Sequence, residues 1–223
     1  EQAMQIRADQ EKLQNRPEPR TIPLSGFIGE GTEDNPYIID STKKLKQFRD
    51  NVNEGHSFKD MYFKVTQNID LYEENDGVPV SWIPINGFEG NFDGGNCFIQ
   101  GLYIESSAWY QGLFGSVALG NLKNINLEVK KLGFSGSYSG GLVGIIEQGS
   151  VSDCFVKGDI ITGEEAIMIG GIIGNADRSD ISNCRFSGNI GTRDDDNANG
   201  ANIVGGIVGD LLDSDIKSCV SVG

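Results

Sequence analysis

"GGLVG" at 140–144, "GGIIG" at 170–174 and "GGIVG" at 205–209 repeat one five-residue phrase, and "QGLFG" at 111–115 is a looser fourth copy. Taking the last glycine of each as zero (Gly115, Gly144, Gly174 and Gly209) brings other positions into line. Leu122, Val151, Ile181 and Ile216 stand at +7, and Ile125, Cys154, Cys184 and Cys219 at +10. At +12, Leu127, Val156 and Phe186 continue an apolar pattern that Ser221 breaks. At +14 come Gly158, Gly188 and Gly223, with Val129 in the first unit. The zeros are 29, 30 and 35 residues apart.

A period of this length, in units too small to bury an apolar face alone, marks a stacked array. The +10 and +12 positions step by two, Val and Ile abound, and glycine interrupts every few residues. The runs therefore read as short strands, about three to a unit, and each unit as one rung of a β-helix. The three-residue step from +7 to +10 breaks strand alternation and requires a bend. Position +9 holds Asn124, Asp153, Asn183 and Ser218. Asn and Asp tolerate left-handed backbone best after glycine, so this column is placed at a corner, its side chains bonding to the backbone of neighbouring rungs. The glycines of the phrase read as sharp turns, and the apolar pair between them as core wall. An earlier, shorter unit fits at an offset of 23: Ile99, Gly101, Leu102 and Ile104 match Leu122, Asn124, Ile125 and Leu127, with Gly101 at the corner. A sandwich with glycine-rich hairpins is the competing architecture, but hairpins do not hold +7, +10 and +12 in register.

In "STKKLKQFRDNVNE", residues 41–54, Leu45, Phe48 and Val52 share one helical face between a Ser-Thr cap and Gly55. A solenoid must close its apolar end, and this helix is expected to do so. Residues 1–28 are assigned to a charged N-terminal segment or linker, and 29–223 to the solenoid, with regular rungs from about 88 onward. The sequence stops at Gly223 in mid-rung, where further chain or another subunit is expected to cover the open edge.

The chain has 223 residues, 38% of them apolar, enough for a sizeable core. Thirty-one glycines against six prolines, without a three-residue period, indicate many turns rather than collagen or disorder. A net charge of −14 repels polyanions, which argues against nucleic acid and anionic lipid as partners. No apolar run reaches the ~18 residues of a membrane span, so membrane insertion is not expected. The first residues lack a signal-peptide core and do not begin with Met, so an export signal would have been removed earlier.

His56 is the one histidine and reads as a loop residue, which leaves no two-histidine zinc site. Of four cysteines, Cys154, Cys184 and Cys219 share a repeat column. In-register neighbours ~4.8 Å apart with parallel side chains suit buried thiols better than disulfides, and Cys97 lies off the column. Asp195, Asn197, Asn199 and Gly200 have the spacing of half a calcium loop, but Gly206 stands where its closing acid belongs. A solvated acidic loop is the preferred reading, so neither a metal site nor a cofactor is expected. Asp180 and Asp215 precede the +7 residue on successive rungs, ~5 Å apart if stacked, near the separation of a retaining glycosidase pair. Asp177, Asp210 and Asp213 crowd the same sequence neighbourhood, and no aromatic cluster beside them offers a sugar platform. A solvated acidic face is preferred, and no catalytic residue is assigned.

"GTEDNPYIID", the cap-helix segment, "YFKVTQNIDL", "WIPI", "FEGNFDGGNCFIQGLYI" and then "GLFG…NLKNINL…GGLVG…VSDCFVKGDI" occur in an order that resembles bacterial surface proteins built from GLUG-type repeats, over about residues 29–223. It is similar to the repeat region beside immunoglobulin A-specific metallopeptidases. The resemblance implies an all-β, right-handed parallel β-helix, export to the bacterial cell surface, and an adhesive or spacer role toward a host or microbial glycan or protein. The peptidase activity does not carry over, because a single histidine cannot make His-Glu-x-x-His. The expected function is a non-catalytic extracellular module. The alternatives are a glycoside hydrolase using the acidic column and a calcium-stiffened stalk.

Overall fold

Strands from successive repeats lie side by side and parallel, so the chain winds into a parallel β-solenoid of about five turns. The computed structural model describes residues 24–163, 166–192 and 203–223. Segment 1–23 and the calcium-like positions Asp195–Gly200 lie outside the described residues. The +7 column runs through a seven-stranded sheet that takes its strands in chain order, from Tyr37–Ile39 to Asp215–Lys217. Leu122 pairs with Val151, Val151 with Ile181 and Ile181 with Ile216. The first three are buried, whereas Ile216, on the last described rung, is 40% exposed.

A full rung has five short strands rather than three: Ser139–Gly140, Val143–Glu147, Ser150–Ser152, Phe155–Lys157 and Ile160–Thr162. The additional breaks fall at the phrase itself and at Gly158, whose φ of +135° interrupts what is one nine-residue strand, Asn126–Phe134, on the rung before. The +9 corner is where the sequence places it. Asn124, Asp153, Asn183 and Ser218 all adopt φ of 54–55°. The two Asn side chains reach the previous rung's side chain rather than its backbone: Asn124 Nδ2 donates to Asp93 Oδ1 at 3.0 Å, and Asn183 Nδ2 to Asp153 Oδ1 at 3.1 Å.

The offset of the earlier unit is corrected. Leu122 pairs with Phe92 and Leu127 with Ile99, so the preceding rung lies about 30 residues back, not 23. Gly101 does have φ +77°, but at a bulge opposite Val129, and the true counterpart of the corner is the turn around Gly95. The phrase glycines Gly140, Gly141 and Gly144 do not have left-handed backbone. They are glycine because there is no room for a Cβ. One added at Gly144 would lie 2.5 Å from Gly115 O and 2.7 Å from Tyr138 O. The chain does bend between them, which is why Leu142 and Val143, adjacent in sequence, are both buried.

The column cysteines are free thiols, with Cys154 and Cys184 buried. Each donates to the carbonyl two residues earlier, at 3.1, 3.2 and 3.4 Å for Cys154, Cys184 and Cys219. Burial pushes the Cys154 thiol well up, which keeps it protonated and inert. Thiol titration after denaturation without reductant is expected to recover all four cysteines. Recovery of two or fewer would contradict the ladder.

The one helix among the described residues, Thr42–Asn53, starts at Ser41, whose side chain accepts from Lys44 N. It ends with Gly55 N donating to Val52 O and His56 N to Asn51 O, the paired bonds that an αL glycine permits. Its buried stripe of Leu45, Phe48 and Val52 meets Phe63, Phe88 and Phe92, which come from three different strands.

Candidate functional site

The strand that begins within each phrase belongs to a five-stranded sheet, and its last three residues alternate across the solenoid wall. Val117, Ile146 and Ala176, at +2, are buried in the core. The flanking positions face outward and build two parallel columns. One contains Ser116, Ile145, Asn175 and Asp210, and the other Ala118, Glu147, Asp177 and Leu212. Repetition of the rung thus lays carboxylates and an amide side by side on one outer face.

A corner just ahead of each phrase supplies the rim. Tyr110, Tyr138 and Met168 have φ of 59°, 56° and 61°, a conformation bulky residues seldom hold. Bonds to the next rung fix it, Tyr110 N to Ser137 O and Tyr138 N to Ile167 O. The missing side chain at Gly144 lets the Tyr138 corner close against the strand. Trp109, Tyr110 and Tyr138 pack together, with centroids 5.5 Å apart for Tyr110–Tyr138, 5.8 Å for Trp109–Tyr138 and 6.2 Å for Trp109–Tyr110. Between this aromatic rim and the two columns lies a groove of about 560 Å³ that crosses several rungs.

Its electrostatics are uneven. Glu147 and Asp177 are register partners on adjacent rungs. Burial, followed by the charge of Asp177, raises the Glu147 carboxyl above its ordinary range, with Arg178 opposing. Arg178 Nη2 pairs with Asp177 Oδ2 at 2.8 Å. Asn175 Nδ2 donates to Asp210 Oδ2 at 2.9 Å. Burial and then Asp210 raise the Tyr138 phenol. The groove therefore combines apolar ring faces with acceptor-rich polar groups.

The acids that the sequence grouped together separate in space. Asp180 and Asp215 are register partners in the seven-stranded sheet, both exposed, with Asp215 paired to Lys217 at 3.1 Å. Asp177 and Asp210 belong to the five-stranded sheet and line the groove instead. The aromatic platform that the sequence lacks beside Asp180 is present here. Its signal was available in the +1 and +3 columns and in the aromatic residues five or six places before zero, all of them outside the apolar template. His56 lies in the loop after the helix, its Nδ1 3.0 Å from Asn51 O. Among the described residues no three His, Cys, Asp or Glu side chains converge on a common metal position.

Residues 135–161 and 165–191 match the family model of the GLUG motif. These two rungs are GLUG repeats. The GLUG repeats contribute Tyr138, Ile145 and Glu147 from the first and Met168, Asn175 and Asp177 from the second to the groove. A relative from Evansella cellulosilytica, named "Putative Gly-rich membrane protein", is 34% identical over 115 residues. That match spans 49% of this chain but 12% of the relative's length. Among the described residues no helix is long and apolar enough to cross a membrane. A solved structure titled "putative immunoglobulin A1 protease", from Bacteroides ovatus, aligns over 86% of this chain and 76% of that one, at 17% identity and a TM-score of 0.40. A likeness at that score decides neither fold nor activity.

Proposed function

We propose that this chain is a non-catalytic module displayed outside the bacterial cell, adhesin-like, with the groove of the GLUG repeats as its binding face. The observation that carries this reading is the groove itself, an aromatic rim beside two polar columns, each built by repeating one rung position. Such clefts of roughly 300–1,000 Å³ with a few polar groups are where proteins hold ligands. The GLUG match and the membrane-protein relative support placement at the surface. The partner is a host or microbial glycan or protein. Asp180 and Asp215 take no part, and the high negative charge excludes nucleic acid.

A glycoside hydrolase is the second reading, favoured by the Glu147–Asp177 pair: two neighbouring carboxylates, one with a raised pKa and one paired with Arg178. Incubation with plant, host and microbial glycans separates the two. Retention of ligand without new reducing ends is expected. New reducing ends that disappear in both Glu147→Gln and Asp177→Asn, with folding intact, would make the protein an enzyme. Protease shaving of intact producing cells is expected to release its peptides, and their absence would contradict surface display.

A further inference from the structure

The aromatic groove narrows the ligand chemistry, and this narrowing rests on the binding-module reading above. Trp109 and Tyr110 are half-buried, and Tyr138 is 8% exposed. The three rings pack on one another, with centroids 5.5–6.2 Å apart, rather than standing around a shared space. A cage for a quaternary ammonium group needs its ring faces turned toward a shared space. Packed at 31–81° to one another, the rings form a continuous aromatic wall, against which one face of a partly apolar ligand can lie.

The groups opposite the wall restrict what that ligand carries. Glu147, Asp177 and Asp210 present carboxyl oxygens, none of the described residues lining the groove is Lys or Arg, and Arg178 beside it is paired with Asp177. A ligand with carboxylate, sulfate or phosphate groups would meet repulsion in a chain whose net charge is −14. A ligand rich in hydroxyl donors would find acceptors in two columns whose neighbouring members are one strand spacing apart, ~4.8 Å. Carbon–hydrogen faces on one side and hydroxyls around the edge describe a pyranose ring. Because the groove crosses successive rungs, several rings in a row can occupy it.

We propose that this groove binds a neutral oligosaccharide, with pyranose faces on Trp109 and Tyr110, which Tyr138 backs, and ring hydroxyls donating to the Glu147, Asp177 and Asp210 carboxyl groups. Trp109 is the anchor. It is the largest of the three rings and, being half-buried, can be removed with little disturbance to the core.

The test uses the whole chain with defined probes: cellohexaose, maltohexaose, mannohexaose and chitohexaose as neutral oligosaccharides, sialyllactose and oligogalacturonate as anionic ones, and choline as a quaternary ammonium. Titration calorimetry and tryptophan fluorescence are read together, because Trp82 is buried away from the groove and Trp109 is not. At least one neutral probe is expected to bind and change the fluorescence. Trp109→Ala is expected to weaken that binding at least tenfold, and Asp177→Asn to weaken it measurably, with thermal unfolding of both variants close to the parent. Thermal unfolding separates lost contacts from lost fold. Trp109→Phe, which keeps a ring, is expected to retain most of the affinity while losing the fluorescence change.

Binding of no neutral probe overturns the proposal, as does preference for an anionic probe or choline, or neutral-probe binding that survives Trp109→Ala. None of those results touches surface display or the absence of turnover. Conversely, reducing ends released from a bound neutral probe would overturn the non-catalytic reading while leaving the ligand class standing.

Discussion

Gly174→Ala is expected to destabilise the solenoid by ~3 kcal/mol or more in urea unfolding, although it adds one methyl group. A Cβ at this position would lie 2.5 Å from Ser139 N and 2.6 Å from both Gly144 O and Tyr138 C. All three are backbone atoms, so no side chain can swing aside. Relief would require separating two rungs or displacing the corner that carries Tyr138. Parallel pairing on both sides opposes the first, through Val143 with Ile173 and Ile173 with Val208. The bonds that fix the corner oppose the second, Tyr138 N to Ile167 O and Ser139 N to Met168 O. Gly191→Ala is the control, because no atom of the described residues lies within 4 Å of a Cβ there and its φ is not left-handed. It is expected to change stability by less than ~0.5 kcal/mol. A loss below ~1 kcal/mol at Gly174 would mean that adjacent rungs are less tightly packed than these distances require.

That close approach explains what the sequence disclosed and what it concealed. Interior columns were legible because the core asks the same thing of every rung: Val151 and Ile181 fill equivalent space, and their chemistry repeats. The +9 corner was legible for a similar reason, since few residues hold φ near 55° comfortably and Asn124, Asp153 and Asn183 are among them. The bend at the phrase was legible, but the close contact behind it was not, because two different demands, positive φ and absence of a Cβ, select the same residue. The offset of 23 failed on a similar ambiguity. Ile99, Leu102 and Ile104 are all inward, with a three-residue step made by the bulge at Gly101, which spacing alone cannot tell from the step at a corner.

The groove was least legible. Outward columns are under no common packing demand, so Ser116, Ile145, Asn175 and Asp210 share a position without sharing chemistry. Repeat alignment rewards sameness, whereas a binding face is built from differences placed at equivalent points. The acids at 177–180 show the cost. Asp177 and Asp180 are three residues apart, yet a corner at Arg178, with φ 47°, sends them to different sheets.

Phe48→Ala is expected to cost about 3–5 kcal/mol, because a fully buried ring is removed from a site with little means of collapsing. Phe48 stands 4.5 Å from Phe63, 5.3 Å from Phe88, 5.7 Å from Phe92 and 6.1 Å from Phe58, centroid to centroid. Its four neighbours sit on strands and loops of the early coils and cannot all move inward together. The loss is also expected to be directional. In a stack whose units touch only their neighbours, damage at the capped end opens the nearest coils first. Cys97, half-buried and bonded toward Val65 O, reports on those coils, while buried Cys184 reports on the far rungs. Labelling of Cys97 by a thiol reagent under native conditions is therefore expected to accelerate more in Phe48→Ala than labelling of Cys184. Lys43→Ala, on the exposed face of the helix, is expected to change stability by less than ~0.5 kcal/mol and neither labelling rate. Equal acceleration at both cysteines would mean that the solenoid unfolds as one cooperative block. A Phe48→Ala loss no larger than that of Lys43→Ala would mean that the helix rests on the coils without closing them.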